Sequence, residues 1–94
     1  MKVKNMTSDR TNNEVANQFD IVDDQGNIYF QSYDSVIVKI HVSNTINPGQ
    51  VYLDTHKWDF SKTTGKYRNQ FLGETKKETQ AKIDSGEYIL ADLN

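Results

Sequence analysis

Two histidines, His41 and His56, are the side chains of this sequence best suited to moving a proton near neutral pH. Asp54 stands two residues before His56, so a carboxylate is at hand to orient one imidazole as a general base. No third partner follows at a metal-ligand spacing, and the helical His-Glu-x-x-His signature is absent. Both are read as ordinary surface or half-buried histidines. Asp20, Asp23 and Asp24 form an acidic run that invites calcium. A calcium loop with Gly26 in its glycine position would begin at Ile21, which has no oxygen to donate. A hairpin turn accounts for the run instead. The glycines are scattered and build no phosphate-cradling loop, and no Gly-x-Ser-x-Gly elbow occurs. Without cysteine there is no thiolate chemistry, disulfide or cysteine-held zinc. No catalytic residue, metal ligand or cofactor is assigned, and the expected activity is binding.

Two sets of side chains compete for that role. From Trp58 to Tyr67 aromatic and basic residues interleave, as in proteins that stack bases and track phosphates. Lys57, Lys62, Lys66, Arg68, Lys76 and Lys77 give residues 55–83 a basic balance between acidic flanks, although the whole chain has a formal net charge of −2. Nucleic-acid binding through these six is the alternative reading. Against it, Tyr67 and Phe71 stand four apart, a spacing that places both on one helix face and in a core. The primary reading is a protein partner met by Asp23, Asp24, Tyr29, Tyr33, Tyr52 and Trp58. A sheet covered on one side leaves some of these aromatics at the surface.

The elements that must position these residues are legible in part. Phe19 to Val22 and Ile28 to Tyr33 read as strands joined by Asp23-Asp24-Gln25-Gly26-Asn27, a turn-forming run. Val36 to Val42 alternates with β-branched residues, with Val36, Val38, Ile40 and Val42 on one face and Ile37, Lys39 and His41 on the other. Asn47-Pro48-Gly49 marks a turn before Val51-Tyr52-Leu53. Ser61 is placed to cap a helix carrying Tyr67, Phe71 and Leu72, which Gly73 interrupts. A second helix follows over Thr75 to Ser85, with Glu78 and Lys82 as an i,i+4 pair and Gly86 as its terminator. Tyr88-Ile89-Leu90 reads as a last strand. The expected fold is α+β: a curved antiparallel sheet of three to five strands, with two C-terminal helices packed on one face, in the order β-β-β-β-α-α-β. Tyr88–Leu90 and Phe19–Val22 are the expected sheet edges.

The chain has 94 residues, which make one domain. Residues 1–14 carry few apolar groups beyond Met1, Val3 and Met6, and read as a mobile tail ahead of a single α+β domain over residues 15–94. They contain no apolar core of a signal peptide, and no apolar run approaches membrane-spanning length. A cytoplasmic protein is expected, with no membrane association.

The blocks Phe30-Gln31-Ser32-Tyr33-Asp34-Ser35-Val36-Ile37, Val51-Tyr52-Leu53-Asp54, Trp58-Asp59-Phe60-Ser61 and Phe71-Leu72-Gly73-Glu74-Thr75 resemble a family of short uncharacterised proteins carried by phages and plasmids of Gram-positive bacteria. The resemblance spans residues 17–94. It transfers no catalytic residue. It implies a setting in which small proteins occupy the working surfaces of host defence proteins, as anti-CRISPR proteins do. The expected partner is therefore a bacterial defence protein such as a CRISPR-Cas nuclease in the host cytoplasm, inhibited by stoichiometric binding. The alternative is a small nucleic-acid-binding or regulatory protein of a mobile element.

Overall fold

The computed structural model describes residues 1–42 and 49–94. The chain runs β1 (Lys2–Thr7), β2 (Glu14–Val22), β3 (Ile28–Ser32), β4 (Ser35–His41), β5 (Gln50–Asp54), α1 (Lys62–Leu72), α2 (Lys76–Asp84) and β6 (Tyr88–Ala91). All six strands lie in one sheet, in the order of the sequence. The first five form an antiparallel meander, whereas β6 pairs parallel to β5. A parallel neighbour needs a crossover, because the chain must return to the same end of the sheet. The two helices are that crossover, and they cover one face of the sheet.

The α+β class and the helix pair after the strands agree with the sequence reading, and the strand count does not. The sheet has six strands rather than three to five, and one of its pairs is parallel. The additional strand comes from the segment read as a tail: Lys2–Thr7 pairs with β2 from Lys2↔Val22 to Thr7↔Glu14. Its hydrogen bonds come from the backbone and its one core anchor is Met6, so a segment poor in apolar groups still joins the sheet. Phe19–Val22 consequently lies between β1 and β3 and is no edge. Tyr88–Leu90 does lie at an edge. The Asn47-Pro48-Gly49 turn falls outside the described residues apart from Gly49.

Register assigns the side chains to faces. Phe30, Val38 and Leu53 are paired in a row on the covered face, fully buried, and Phe30 stacks on Phe71 of α1 with ring centroids 5.7 Å apart. Tyr67, Met6 and Tyr88 complete the core, with Leu72 and Ile83 packed against it. In β4 the pairing steps from Phe30↔Val38 to Gln31↔Val36, leaving Ile37 as the extra residue of a bulge. That bulge breaks the expected alternation, and Ile37 and Val38 are both buried.

Helix termini follow the cues in the sequence. The Ser61 hydroxyl accepts from the Thr64 amide, and Gly73 closes α1 at φ 69°, a left-handed conformation that glycine adopts without a Cβ penalty. At α2, Thr75 and Glu78 form a reciprocal capping box. The Glu78 carboxylate is thereby engaged, and Lys82 pairs with Glu74 at 2.8 Å instead of with Glu78 as the i,i+4 spacing suggested. Glu74 also accepts from the hydroxyls of Thr79 and Tyr88, which ties α2 to β6. Burial pushes the Glu74 carboxyl up, but these hydrogen bonds outweigh it and hold the group below its ordinary value. Burial and the bond to Glu74 push the Tyr88 phenol up to about 12.

Candidate functional site

The face of the sheet away from the helices is built from the alternate residues of the same strands. One row crosses all six: Val3↔Ile21, Ile21↔Tyr29, Tyr29↔Lys39, Lys39↔Tyr52 and Tyr52↔Ile89. Five of its members are apolar or aromatic and one is cationic. The Lys39 ammonium lies 5.8 Å from the centre of the Tyr29 ring, and the His41 imidazole meets Tyr52 edge-on at 6.1 Å. Phe19 and Val36 extend this surface. Its central members are half-buried by their neighbours alone, with no covering layer among the described residues. The face thus presents two aromatic rings beside one cation, flanked by aliphatic side chains.

Of the six partner-facing residues expected from the sequence, Tyr29 and Tyr52 lie in this row. Asp23 and Asp24 sit beside it, in the β2–β3 turn just beyond Ile21 and Val22. The Asp23 carboxylate accepts from the backbone amides of Gln25 and Asn27 at 2.9 Å each, and from the Tyr29 hydroxyl at 2.8 Å. Burial pushes the Asp23 carboxyl up, yet the bonds from Tyr29, Asn27 and Gln25 prevail and lower it. This carboxylate thus shapes the turn and fixes the Tyr29 ring, and the exposed Asp24 carboxylate pairs with the N-terminal ammonium. Tyr33 stands apart in the β3–β4 turn at φ 57°, 51% exposed. Trp58 belongs to the other side of the molecule: Arg68 lies 5.1 Å from its ring, and the Trp58 carbonyl accepts from Arg68 Nη1 at 2.6 Å.

The six basic residues of the alternative reading do not form one surface charge. Arg68 is buried, 1% exposed, and also donates to Asn69 and Asp59, which corrects its reading as a surface residue. Lys76 is paired with Asp59 at 2.7 Å, and Lys57 donates to Ser35 at 2.8 Å. Lys66 lies over the Tyr67 ring at 5.3 Å. Lys62 and Lys77 are exposed.

Asp54 and His56 do not make a catalytic pair. The Asp54 carboxylate accepts from the backbone amides of His56, Lys57 and Leu93 and from the Asn94 side chain, at 2.9 to 3.2 Å. Burial acts to raise this carboxyl, and the four bonds overcome it and lower its pKa. Asn94 in turn exchanges hydrogen bonds with both the amide and the carbonyl of Val36, extending the sheet by one side chain. Asp54 is therefore a buried clasp that pins residues 92–94 across the end of β4 and β5. The His56 side chain is exposed, and no cluster that could hold a metal occurs among the described residues. No described helix is long and apolar enough to cross a membrane.

Sequence reasoning missed Ile21, Lys39 and Ile89 as members of the site. Each was assigned to a strand, but the row exists only through registers, and these depend on the β4 bulge and on β1.

No curated protein and no solved structure matches the chain. A model for a family of unknown function, DUF8033, matches residues 1–87 and so takes in the N-terminal strand that the sequence resemblance left out. The chain belongs to that family of unknown function.

Proposed function

We propose that this chain is a non-enzymatic binding module that engages a partner protein through the open face of its sheet. The observation that carries this reading is the registered row Ile21, Tyr29, Lys39, Tyr52 and Ile89, uncovered by any described element. A partner that places an apolar patch with one acidic residue on this row satisfies Lys39 and buries the two tyrosines. The resemblance noted in the sequence supports the finer form of the proposal: an accessory protein of a phage or other mobile element, acting in the cytoplasm of a bacterial host by occupying a defence protein such as a CRISPR-Cas nuclease. The nucleic-acid alternative loses support from the geometry, since Arg68 is buried and Lys57 and Lys76 are engaged.

The test is affinity capture from a Gram-positive host lysate, with and without nuclease treatment, by the wild-type chain and by its Lys39→Glu and Tyr52→Ala variants. A defence protein retained after nuclease treatment by the wild type and lost by both variants is the expected result. Recovery that depends on nucleic acid, or retention by both variants, would sink the reading.

A further inference from the structure

The two edges of the sheet are built differently. β1 carries Lys2 and Lys4 along its length, charges that oppose pairing with another strand. β6, Tyr88-Ile89-Leu90-Ala91, carries none. Ile89 is 41% exposed and Leu90 40% exposed, on opposite faces of that edge. The Ala91 carbonyl accepts from the Thr55 amide and so points at the β5 side. By strand alternation, the backbone groups of Tyr88 and Leu90 point the other way, outward. Among the described residues no strand lies there, because β6 ends the sheet.

The charges bracketing β6 decide what fits. Glu87 precedes the strand and Asp92 follows it, and both are exposed. A second copy pairing antiparallel by its own β6 must set outward residues opposite one another, so the ladder centres on Ile89 or on Leu90, and either register brings Glu87 of one copy within one residue of Asp92 of the other at both ends. Like charges gathered there oppose the pairing. An extended segment with an uncharged centre and basic flanks meets the opposite situation: its amides and carbonyls take the free groups of Tyr88 and Leu90, and its cations face Glu87 and Asp92. Such a segment would also continue the open-face row beyond Ile89.

We infer that β6 is a strand-addition site for an extended, lysine- or arginine-flanked segment of a partner protein. The inference rests on the reading of this chain as a protein-binding module, but it uses the backbone edge of the sheet, which shares only Ile89 with the open-face row. Tyr29 lies three strands away from the new contact.

The test uses the whole chain and a short synthetic peptide of alternating valine and threonine with a lysine pair at each end. Its control carries glutamate pairs instead. Amide hydrogen exchange, read by NMR, is expected to slow at Tyr88 and Leu90 when the lysine peptide is added. The glutamate peptide should bind about tenfold more weakly or worse, a difference of about 1.4 kcal/mol. Leu90→Pro removes an outward amide that β5 does not use, a position where an edge strand tolerates proline. It should abolish binding while leaving the unfolding midpoint close to that of the wild type. Leu90→Lys, which keeps the amide, is a second variant should the proline disturb the strand, and it should repel the lysine peptide. Tyr29→Ala should bind the peptide as the wild type does, so loss of the open-face activity and loss of edge binding are separable. Absence of binding, protection confined to other strands, or equal affinity for the two peptides overturns the proposal. So does self-association in sedimentation that Lys4→Glu removes, which would make β1 of a second copy the occupant.

Discussion

Tyr29 and Phe30 are neighbours in β3 and have opposite fates. Phe30 faces the helices, is fully buried and stacks on Phe71. Tyr29 faces away, half-buried, with Lys39 at its ring and its hydroxyl on Asp23. The same contrast runs through Val38 and Lys39 of β4 and through Leu53 and Tyr52 of β5. The covered face is held by packing against α1 and α2, whereas the open face is held by strand pairing and cross-strand contacts. Residues of the first kind are committed to the fold. Those of the second kind keep their rings at the surface with little help from the core, which leaves them available to a partner.

The largest expected effect tests that division at adjacent positions. Phe30→Ala opens a cavity in the core and should cost about 3–5 kcal/mol. Tyr29→Ala removes one hydrogen bond and a partly exposed ring, and should cost about 1–2 kcal/mol. Chemical denaturation of both variants checks the pair. Equal losses would mean that the open face is as essential to the fold as the covered one, and the case for its availability would fail.

Much of this division was legible from alternation. The hairpin over residues 19–33, the helix caps at Ser61 and Gly86 and the helical pair Tyr67 and Phe71 all follow from local chemistry. What stayed hidden was set by partners distant in sequence. The strand at Lys2–Thr7 gains most of its order from pairing with β2, which its own composition does not announce. The bulge at Ile37 shifts the register of β4, so alternation alone misplaces part of that strand. Arg68 has the composition of a surface residue, and only the fold of residues 55–61 over α1 buries it between Trp58 and Asp59. The Asp54–His56 spacing suggested chemistry, but the carboxylate is consumed by backbone amides.

A smaller effect sharpens the comparison where the open face closes. Asp54 follows Leu53 in β5 and so lies on the open side, yet it is 1% exposed because residues 92–94 cross over it. Asp54→Asn keeps the shape but turns one accepting oxygen into a donor among donors, and should cost about 1.5–3 kcal/mol at pH 7. Its pKa is lowered in the folded chain, so its contribution is present above the unfolded carboxylate value and is lost as pH falls through the folded one. The stabilities of wild type and variant should therefore converge at acid pH. A gap that persists once the wild-type carboxyl is protonated would show that the amide's donor hydrogens, and not the missing charge, cause the loss.

The smallest effect probes the covered face for a flaw. Gln18 of β2 is fully buried beside Ser32, and neither its oxygen nor its nitrogen has a hydrogen-bond partner among the described residues. Ser32 and Thr64 nearby satisfy each other at 2.9 Å and offer no obvious relief. A buried amide without partners is costly, and an apolar side chain of similar size removes that cost. If the covered face is governed by packing alone, Gln18→Leu should raise stability by about 1 kcal/mol, read as a higher denaturation midpoint. A lower midpoint would mean that the amide is hydrogen-bonded in solution. The covered face would then hold a specific polar interaction beneath α1, and the contrast between a packed face and a chemically available one would no longer describe this sheet.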